Sequence, residues 1–200
     1  MKTFLHVGCG HKTKDQTTLE FQKPSWKEIR LDINPEVQPD IIGSTTDLSN
    51  VATGSVAAVF SSHNIEHIYP HEIQTTLLEY LRILNSDGIF VVTCPDLQSV
   101  CAVVADDKLT EKVYDSPAGP ITPLDILYGH MASVAAGNIF MAHKCGFTRK
   151  TLTESLVKAG FGTIIARRRE HPYYDLWAIA TKSQVEESRM KELAQQHFPK

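Results

Sequence analysis

Short apolar runs recur along this chain, and the spacing of their apolar positions changes from run to run. At Thr3–Val7, Glu28–Leu31, Asp40–Gly43, Ala57–Ser61 and Gly88–Cys94 the runs are brief and bounded by turn-forming or polar residues. Two more lie at Gly162–Arg168 and Leu176–Thr181. Such runs predict strands, seven in all. Elsewhere the period lengthens. Ile73, Leu77, Leu81 and Leu84 fall on one face of a predicted helix from Pro70 to Leu84, with the proline at its first position. Asn85-Ser86-Asp87-Gly88 is the expected turn that ends it. A second helix is predicted over Arg149–Ala159, capped by Thr148 and stopped by a left-handed Gly160. Ser183 and Glu186 have the spacing of a capping box for a C-terminal helix.

Strands alternate with helices from end to end, which predicts one α/β domain over residues 1–200 with a largely parallel sheet. Two stretches break the alternation. Between Gly10 and Glu28, Pro24 and a surplus of Lys, Thr and Gln disfavour a regular first crossover helix. Between Pro95 and Phe147 lies a long insertion carrying Pro117, Pro120 and Pro123, then an apolar segment at Leu124–Tyr128. Insertions of that length inside a compact domain are usually functional. This one leaves the carboxyl end of a strand, so it is expected to cover the ligand edge of the sheet.

Composition narrows the partners. A net charge of −3 lacks the basic surplus that a nucleic-acid surface needs, so no nucleic-acid partner is expected. Arg167-Arg168-Arg169 is then a strand end or an anion contact. No run approaches the ~20 apolar residues of a membrane span, and no signal peptide is legible. A cytoplasmic protein without membrane contact is expected. Cys9, Cys94, Cys101 and Cys145 form no CxxC pair and no zinc spacing, so reduced thiols are expected. Cys9 and Cys94 are expected to pack.

The chemistry concentrates at the predicted strand tips. The first strand ends in Gly8-Cys9-Gly10, and the second ends in Asp32. A buried strand, a glycine turn and an acid on the next strand tip hold nucleotide-like ligands at the carboxyl edge of a parallel sheet. The glycines let the backbone approach the ligand, and the acid accepts hydrogen bonds from a ribose diol. A nicotinamide dinucleotide would need a third glycine where Thr13 stands. His63-Asn64-Ile65-Glu66-His67 matches the HxxEH pattern of inverted zinc peptidases. That chemistry needs both histidines on one helical face, which a strand end followed by Pro70 does not provide. No metal site is expected on this ground.

Leu5-His6-Val7-Gly8-Cys9-Gly10, Leu31-Asp32-Ile33, Thr46-Asp47-Leu48 and Ser62-His63-Asn64-Ile65-Glu66-His67 together resemble the successive motifs of class I S-adenosylmethionine-dependent methyltransferases, type 11. Leu81 through Gly88, Cys94-Pro95-Asp96-Leu97, and His143 through Phe161 extend the resemblance over nearly the whole chain. It implies a three-layer Rossmann-like sandwich, a seven-stranded mostly parallel sheet with the last strand antiparallel. It implies S-adenosyl-L-methionine as cofactor, beside Gly8, Cys9 and Gly10, with Asp32 and Ile33 at the ribose. Asp47 and Leu48 would meet the adenine, and Ser62 and His63 would close the pocket near the sulfonium. His6 and Lys12 depart from the family pattern, which usually has an acid and a glycine there.

The implied activity is methyl transfer to a small-molecule acceptor by direct displacement. His67, His63 and His143 are the candidate catalytic residues, because an imidazole can take a proton near neutral pH. Tyr128, His130 and Asn138, with His67 and His143, are candidate acceptor contacts in the insertion and at the strand end. Two other readings stand beside this one: a cofactor-binding module without turnover, and a zinc-dependent hydrolase using the HxxEH pattern.

Overall fold

The apolar runs assemble into one sheet. A computed structural model, describing residues 1–199, has the order β1 (Lys2–Val7), β2 (Trp26–Asp32), β3 (Ile41–Ile42), β4 (Val56–Ser62), α1 (Ile73–Ile83) and β5 (Leu84–Pro95). Then come α2 (Leu97–Ala105), β6 (Tyr114–Ser116), β7 (Gly119–Ile121), α3 (Pro123–Tyr128) and α4 (Met131–Ala135). The chain closes with α5 (Arg149–Ala159), β8 (Ile164–Arg169), β9 (Asp175–Thr181) and α6 (Glu187–His197). The seven-stranded sheet is ordered β3-β2-β1-β4-β5-β9-β8. Its first five strands run parallel, and β9 is antiparallel to both neighbours. This is the architecture expected from the sequence.

Period-two alternation explains the layering. Leu5, Val7 and Val59 point to one face, where α1 and α5 bring Leu77, Tyr80, Ile83, Leu152 and Leu156. Phe4, Ala58, Phe60 and Val91 point to the other, where α6 brings Met190 and Leu193. The missing first crossover helix leaves a gap on this second face. Only a single turn of 3-10 helix, Lys14–Gln16, forms there. Phe21 fills the gap: its ring stacks on Phe4 at 4.4 Å and meets Trp26 edge-on at 5.0 Å. Each fully buried aromatic of this kind contributes about 1.5–3 kcal/mol.

Some local expectations give way to tertiary context. Helix α1 begins at Ile73 rather than Pro70, because Tyr69–Glu72 closes as a turn: the Glu72 N–H donates to the Tyr69 carbonyl at 2.9 Å. Asn85–Gly88 is not a separate turn. Strand β5 begins at Leu84, opposite Val56, and a register shift puts Ile89 opposite Ala58. Ser183 and Glu186 form no capping box. The Ser183 hydroxyl donates to the Ser86 carbonyl, and Glu186 stands at the cap position without a side-chain bond. Helix α5 matches its expected bounds, with Thr148 capping and Gly160 at φ 96°. The arginine triplet is spent internally: Arg168 pairs with Asp96, Arg169 with Asp175, and Arg167 donates to the Pro199 carbonyl.

The insertion is joined at its root. Asp96 and Phe147 form a parallel bridge, and the Leu97 N–H donates to the Phe147 carbonyl at 3.0 Å. Within it, β6 and β7 make a small hairpin that packs with α2 and α3 around Val100, Ile121 and Ile126. Among the described residues, no helix is long and apolar enough to cross a membrane.

His197 ties α6 to the irregular crossover. Its ring is buried against Phe21, and its Nδ1 hydrogen-bonds the Thr18 hydroxyl at 2.8 Å. Burial pushes its pKa down to about 4, against an upward pull from Glu20, with Arg189 and Lys23 adding to the drop. The unfolded chain therefore binds this proton first. The stabilisation is complete above about pH 6.5 and is lost as pH falls toward 4, a change of about 3 kcal/mol. Urea midpoints of the wild type should fall more steeply over that window than those of His197→Phe. Parallel acid limbs in the two proteins would remove His197 from this role.

Candidate functional site

The glycine turn and the acid of β2 meet at the carboxyl edge of the sheet. Asp32 is buried at the tip of β2. Its Oδ2 accepts the Gly10 N–H at 2.7 Å, and its Oδ1 accepts the Asn34 N–H at 2.9 Å. Gly8 and Gly10 both have positive φ, 59° and 54°. A Cβ on Gly8 would lie 2.0 Å from the Asn64 amide nitrogen, while one on Gly10 would meet no protein atom within 4 Å. The first glycine is therefore required by the protein itself, and the second leaves open space beside the turn.

One arginine holds this edge in shape. The Arg30 guanidinium, on β2, donates to the carbonyls of Gly10 at 2.6 Å, Lys12 at 3.1 Å, Gln38 at 2.9 Å and Val37 at 3.1 Å. It bonds the glycine turn to the loop after β2. Sequence reasoning missed it. The available signal was an arginine two residues before the acid, between the apolar Ile29 and Leu31. His6 also finds its place here: its Nδ1 lies 2.7 Å from the Glu28 carboxylate, whose second oxygen accepts the Lys14 N–H.

A cavity of about 390 Å³ opens over this turn. Gly8, Gly10, Asp32, Ile33 and His63 line it, as do Thr45 and Thr46. Cys9 is buried behind the turn, and desolvation pushes its thiol up to about 11. Leu48 is in the core, its carbonyl bonded to Arg82. Asp47 is exposed and bonds the Ser49 N–H, which lowers its pKa. Asp47, Leu48 and Ser62 lie outside the lining. From the insertion, Asn138, Phe140, Met141 and Lys144 close the far wall. Asn138, expected at the acceptor, therefore lies in this first cavity.

A second cavity of about 150 Å³ adjoins the first. His63, His67 and Met141 line both. His130, His143, Glu66 and Asp125 belong to the second alone, whereas Tyr128 is exposed and outside both. The turn after β4 places the central group. His63 adopts φ 50°, and its N–H donates to the Thr93 carbonyl at the end of β5. Ile65–His67 is then one turn of 3-10 helix, so His63 and His67 do not share a face of a regular α-helix. The returning insertion brings His143 instead, with its ring 4.8 Å from that of His67. Lys144 and Cys145 N–H groups both donate to the Glu66 carbonyl, at 2.8 and 3.1 Å, and fix this meeting.

Glu66 sits at the centre, 1% exposed. Burial is the largest influence on its carboxyl and favours the neutral acid, but the surrounding His63, His67 and His143 imidazoles outweigh it and hold the pKa below its ordinary value. Burial likewise lowers the pKa of His143. His67 Nδ1 donates to the Ala142 carbonyl at 3.0 Å, and His143 Nδ1 to the Ile126 carbonyl at 2.8 Å. Carbonyls only accept, so in the neutral form both rings carry their proton on Nδ1 and keep a lone pair on Nε2.

No protein-family model matches this chain. No curated protein matches it in sequence. Solved structures do match it in shape. The 1,6-didemethyltoxoflavin-N1-methyltransferase of Burkholderia thailandensis, with bound 1,6-didemethyltoxoflavin and S-adenosylhomocysteine, superposes with a TM-score of 0.57 at 16% identity, over 92% of this chain and 72% of that one. An S-adenosylmethionine-dependent methyltransferase from Archaeoglobus fulgidus gives 0.59 at 13% identity, over 90% and 86%. One from Methanosarcina mazei gives 0.59 at 15% identity, over 92% and 93%. Together with the sheet order and its antiparallel β9, these matches show that the chain has the fold of the class I S-adenosylmethionine-dependent methyltransferases.

Proposed function

We propose that this protein transfers a methyl group from S-adenosylmethionine to a small-molecule acceptor. The observation that carries this reading is the pair of adjoining cavities sharing His63 and His67. The larger lies within the roughly 300–1,000 Å³ range of small-ligand sites. Its residues suit the cofactor. Asp32 would accept from the ribose hydroxyls, and Gly10 leaves room for a ligand against the backbone. Asn64 lines the same cavity, packed against Gly8, and its Oδ1 has no hydrogen-bond partner within the protein. When bound, S-adenosylmethionine supplies an electrophilic methyl group whose carbon–sulfur bond breaks with the electron pair retained on sulfur.

The chain's own residues then position and protect. The acceptor would occupy the smaller cavity, with His63, His67 and His143 around its reacting atom. Its lone pair attacks the methyl carbon, and its displaced proton leaves to an imidazole or to water. The insertion lines both cavities, and alignment of the two reactants supplies most of the acceleration. Calorimetry with S-adenosylhomocysteine tests the first half of this reading. Release of S-adenosylhomocysteine against a panel of small acceptors tests the second, and tight binding without any release would make the protein a cofactor-binding module.

Asp32→Ala should weaken S-adenosylhomocysteine binding by roughly 1.5–3 kcal/mol, because a charged acceptor is lost. Unchanged calorimetric affinity would displace the ribose from this position. Arg30→Lys should also weaken binding, by about tenfold, although Arg30 does not line the cavity. One ammonium cannot reproduce a planar fork that reaches four carbonyls. A lysine variant with wild-type affinity would show that the loops hold their shape without the fork. His67→Ala should leave cofactor affinity nearly unchanged and cut turnover by about 10²–10⁴. Preserved turnover per folded molecule would place the acceptor elsewhere.

A further inference from the structure

We propose that Glu66, His67 and His143 form a binding site for one divalent transition-metal ion of the zinc class, facing the smaller cavity. One ligand atom from each residue lies within 4.8 Å of the other two. Ligands of a single tetrahedral ion at about 2.0–2.1 Å stand roughly 3.3 Å apart, a distance that small side-chain rotations reach. The donor set is two imidazoles and one carboxylate, which suits zinc and leaves a fourth position open. Calcium and magnesium prefer oxygen ligands alone.

Two features say that this cluster calls for a cation. The first is the state of Glu66. Both of its carboxylate oxygens are buried, and neither has a hydrogen-bond partner. A buried, unpaired carboxylate is among the most costly groups to leave in a protein interior. The His63 Nδ1, on a ring 45% exposed, lies 3.3 Å from Oε1, close enough to favour the carboxylate's charge but without hydrogen-bond geometry. The second is the way the imidazoles are held. Each donates its Nδ1 proton to a backbone carbonyl, Ala142 for His67 and Ile126 for His143. That is how metal-binding histidines are oriented: one nitrogen is committed to a carbonyl, and the other keeps its lone pair for the ion. Glu66 and the two Nε2 atoms are then all electron-pair donors, gathered without a proton donor among them.

This set is different from the HxxEH arrangement. There both histidines come from one helix and the glutamate serves as a base. Here the 3-10 turn separates His63 from His67, and the second imidazole comes from the returning insertion. Cys145 is close by, but its thiol donates to the Ile65 carbonyl and is not among the three clustered ligand groups. The open position faces the cavity that also meets His130 and Asp125. On the methyl-transfer reading of the adjoining cavity, on which this clause alone rests, the acceptor would bind the ion through an oxygen or nitrogen.

The test begins with protein stripped by a chelator and exchanged into metal-free buffer. Calorimetric titration with zinc chloride should show one ion per chain. Glu66→Gln and His143→Ala should each lower zinc affinity by more than the roughly 10–100-fold that loss of a supporting hydrogen bond brings. His71→Ala, an exposed histidine outside both cavities, and Cys145→Ser should bind as the wild type does. Zinc-edge X-ray absorption of the wild type needs no variant to fold. It should give nitrogen and oxygen neighbours at about 2.0–2.2 Å and no sulfur shell. Absence of stoichiometric binding, a sulfur shell, or unchanged affinity in folded Glu66→Gln and His143→Ala would each overturn the site. Binding of S-adenosylhomocysteine to the stripped protein is measured separately. Its loss would sink the methyl-transfer reading and leave the metal site standing, and the converse result would do the reverse.

Discussion

The carboxylate of Asp32 is the point on which the ligand edge depends. It accepts one N–H from the glycine turn after β1 and one from the loop after β2, so a single side chain joins the two segments that face the larger cavity. The Arg30 fork completes the joint from the other side by collecting four carbonyls of the same loops. Hydrogen bonds to charged groups contribute about 1.5–3 kcal/mol each, against about 1 for neutral pairs. Both residues belong to β2, whose pairing with β1 over six residue positions sets where they can reach. The parallel sheet thus delivers the charges, and the charges shape the loops.

Most of the sheet was legible because its strands are buried on both faces and appear as unbroken apolar runs. Helix α5 was legible to the residue because its start and stop signals, Thr148 and Gly160, act locally. What was not legible was decided by competing contacts, some local and some far along the chain. Pro70 fits a helix start, yet the Tyr69–Glu72 turn takes it out of α1. Ser183 fits a cap, yet the Ser86 carbonyl is the partner it finds. The replacement of a crossover helix by Phe21 and α6 carries no periodic signal at all.

The candidate site divides in the same way. Gly8, Gly10, Asp32, Ile33 and His63 sit at strand tips, and strand tips follow from the sheet. Asp47, Leu48 and Ser62 lie in comparable stretches, but their orientation depends on Arg82, the core and the neighbouring loop. Asn138, Tyr128 and His130 lie in an insertion whose path is set by its root at Asp96 and Phe147 and by the bonds to the Glu66 carbonyl. Residue type alone could not separate an exposed Tyr128 from a cavity-lining His143. The grouping of His143 with Glu66 was hidden because the two approach only once the insertion has returned.

The wall between the two cavities is made by His63, His67 and Met141, and the last of these comes from the insertion. A shared wall cannot be shifted for one occupant alone. Whatever free energy the first ligand contributes by ordering it is a free energy the second no longer has to supply. Thermodynamic linkage makes this reciprocal: the factor by which cofactor tightens acceptor equals the factor by which acceptor tightens cofactor. On the methyl-transfer reading, one methionine on a returning loop would couple the two sites and give the complex a means to hold both reactants more firmly than either alone.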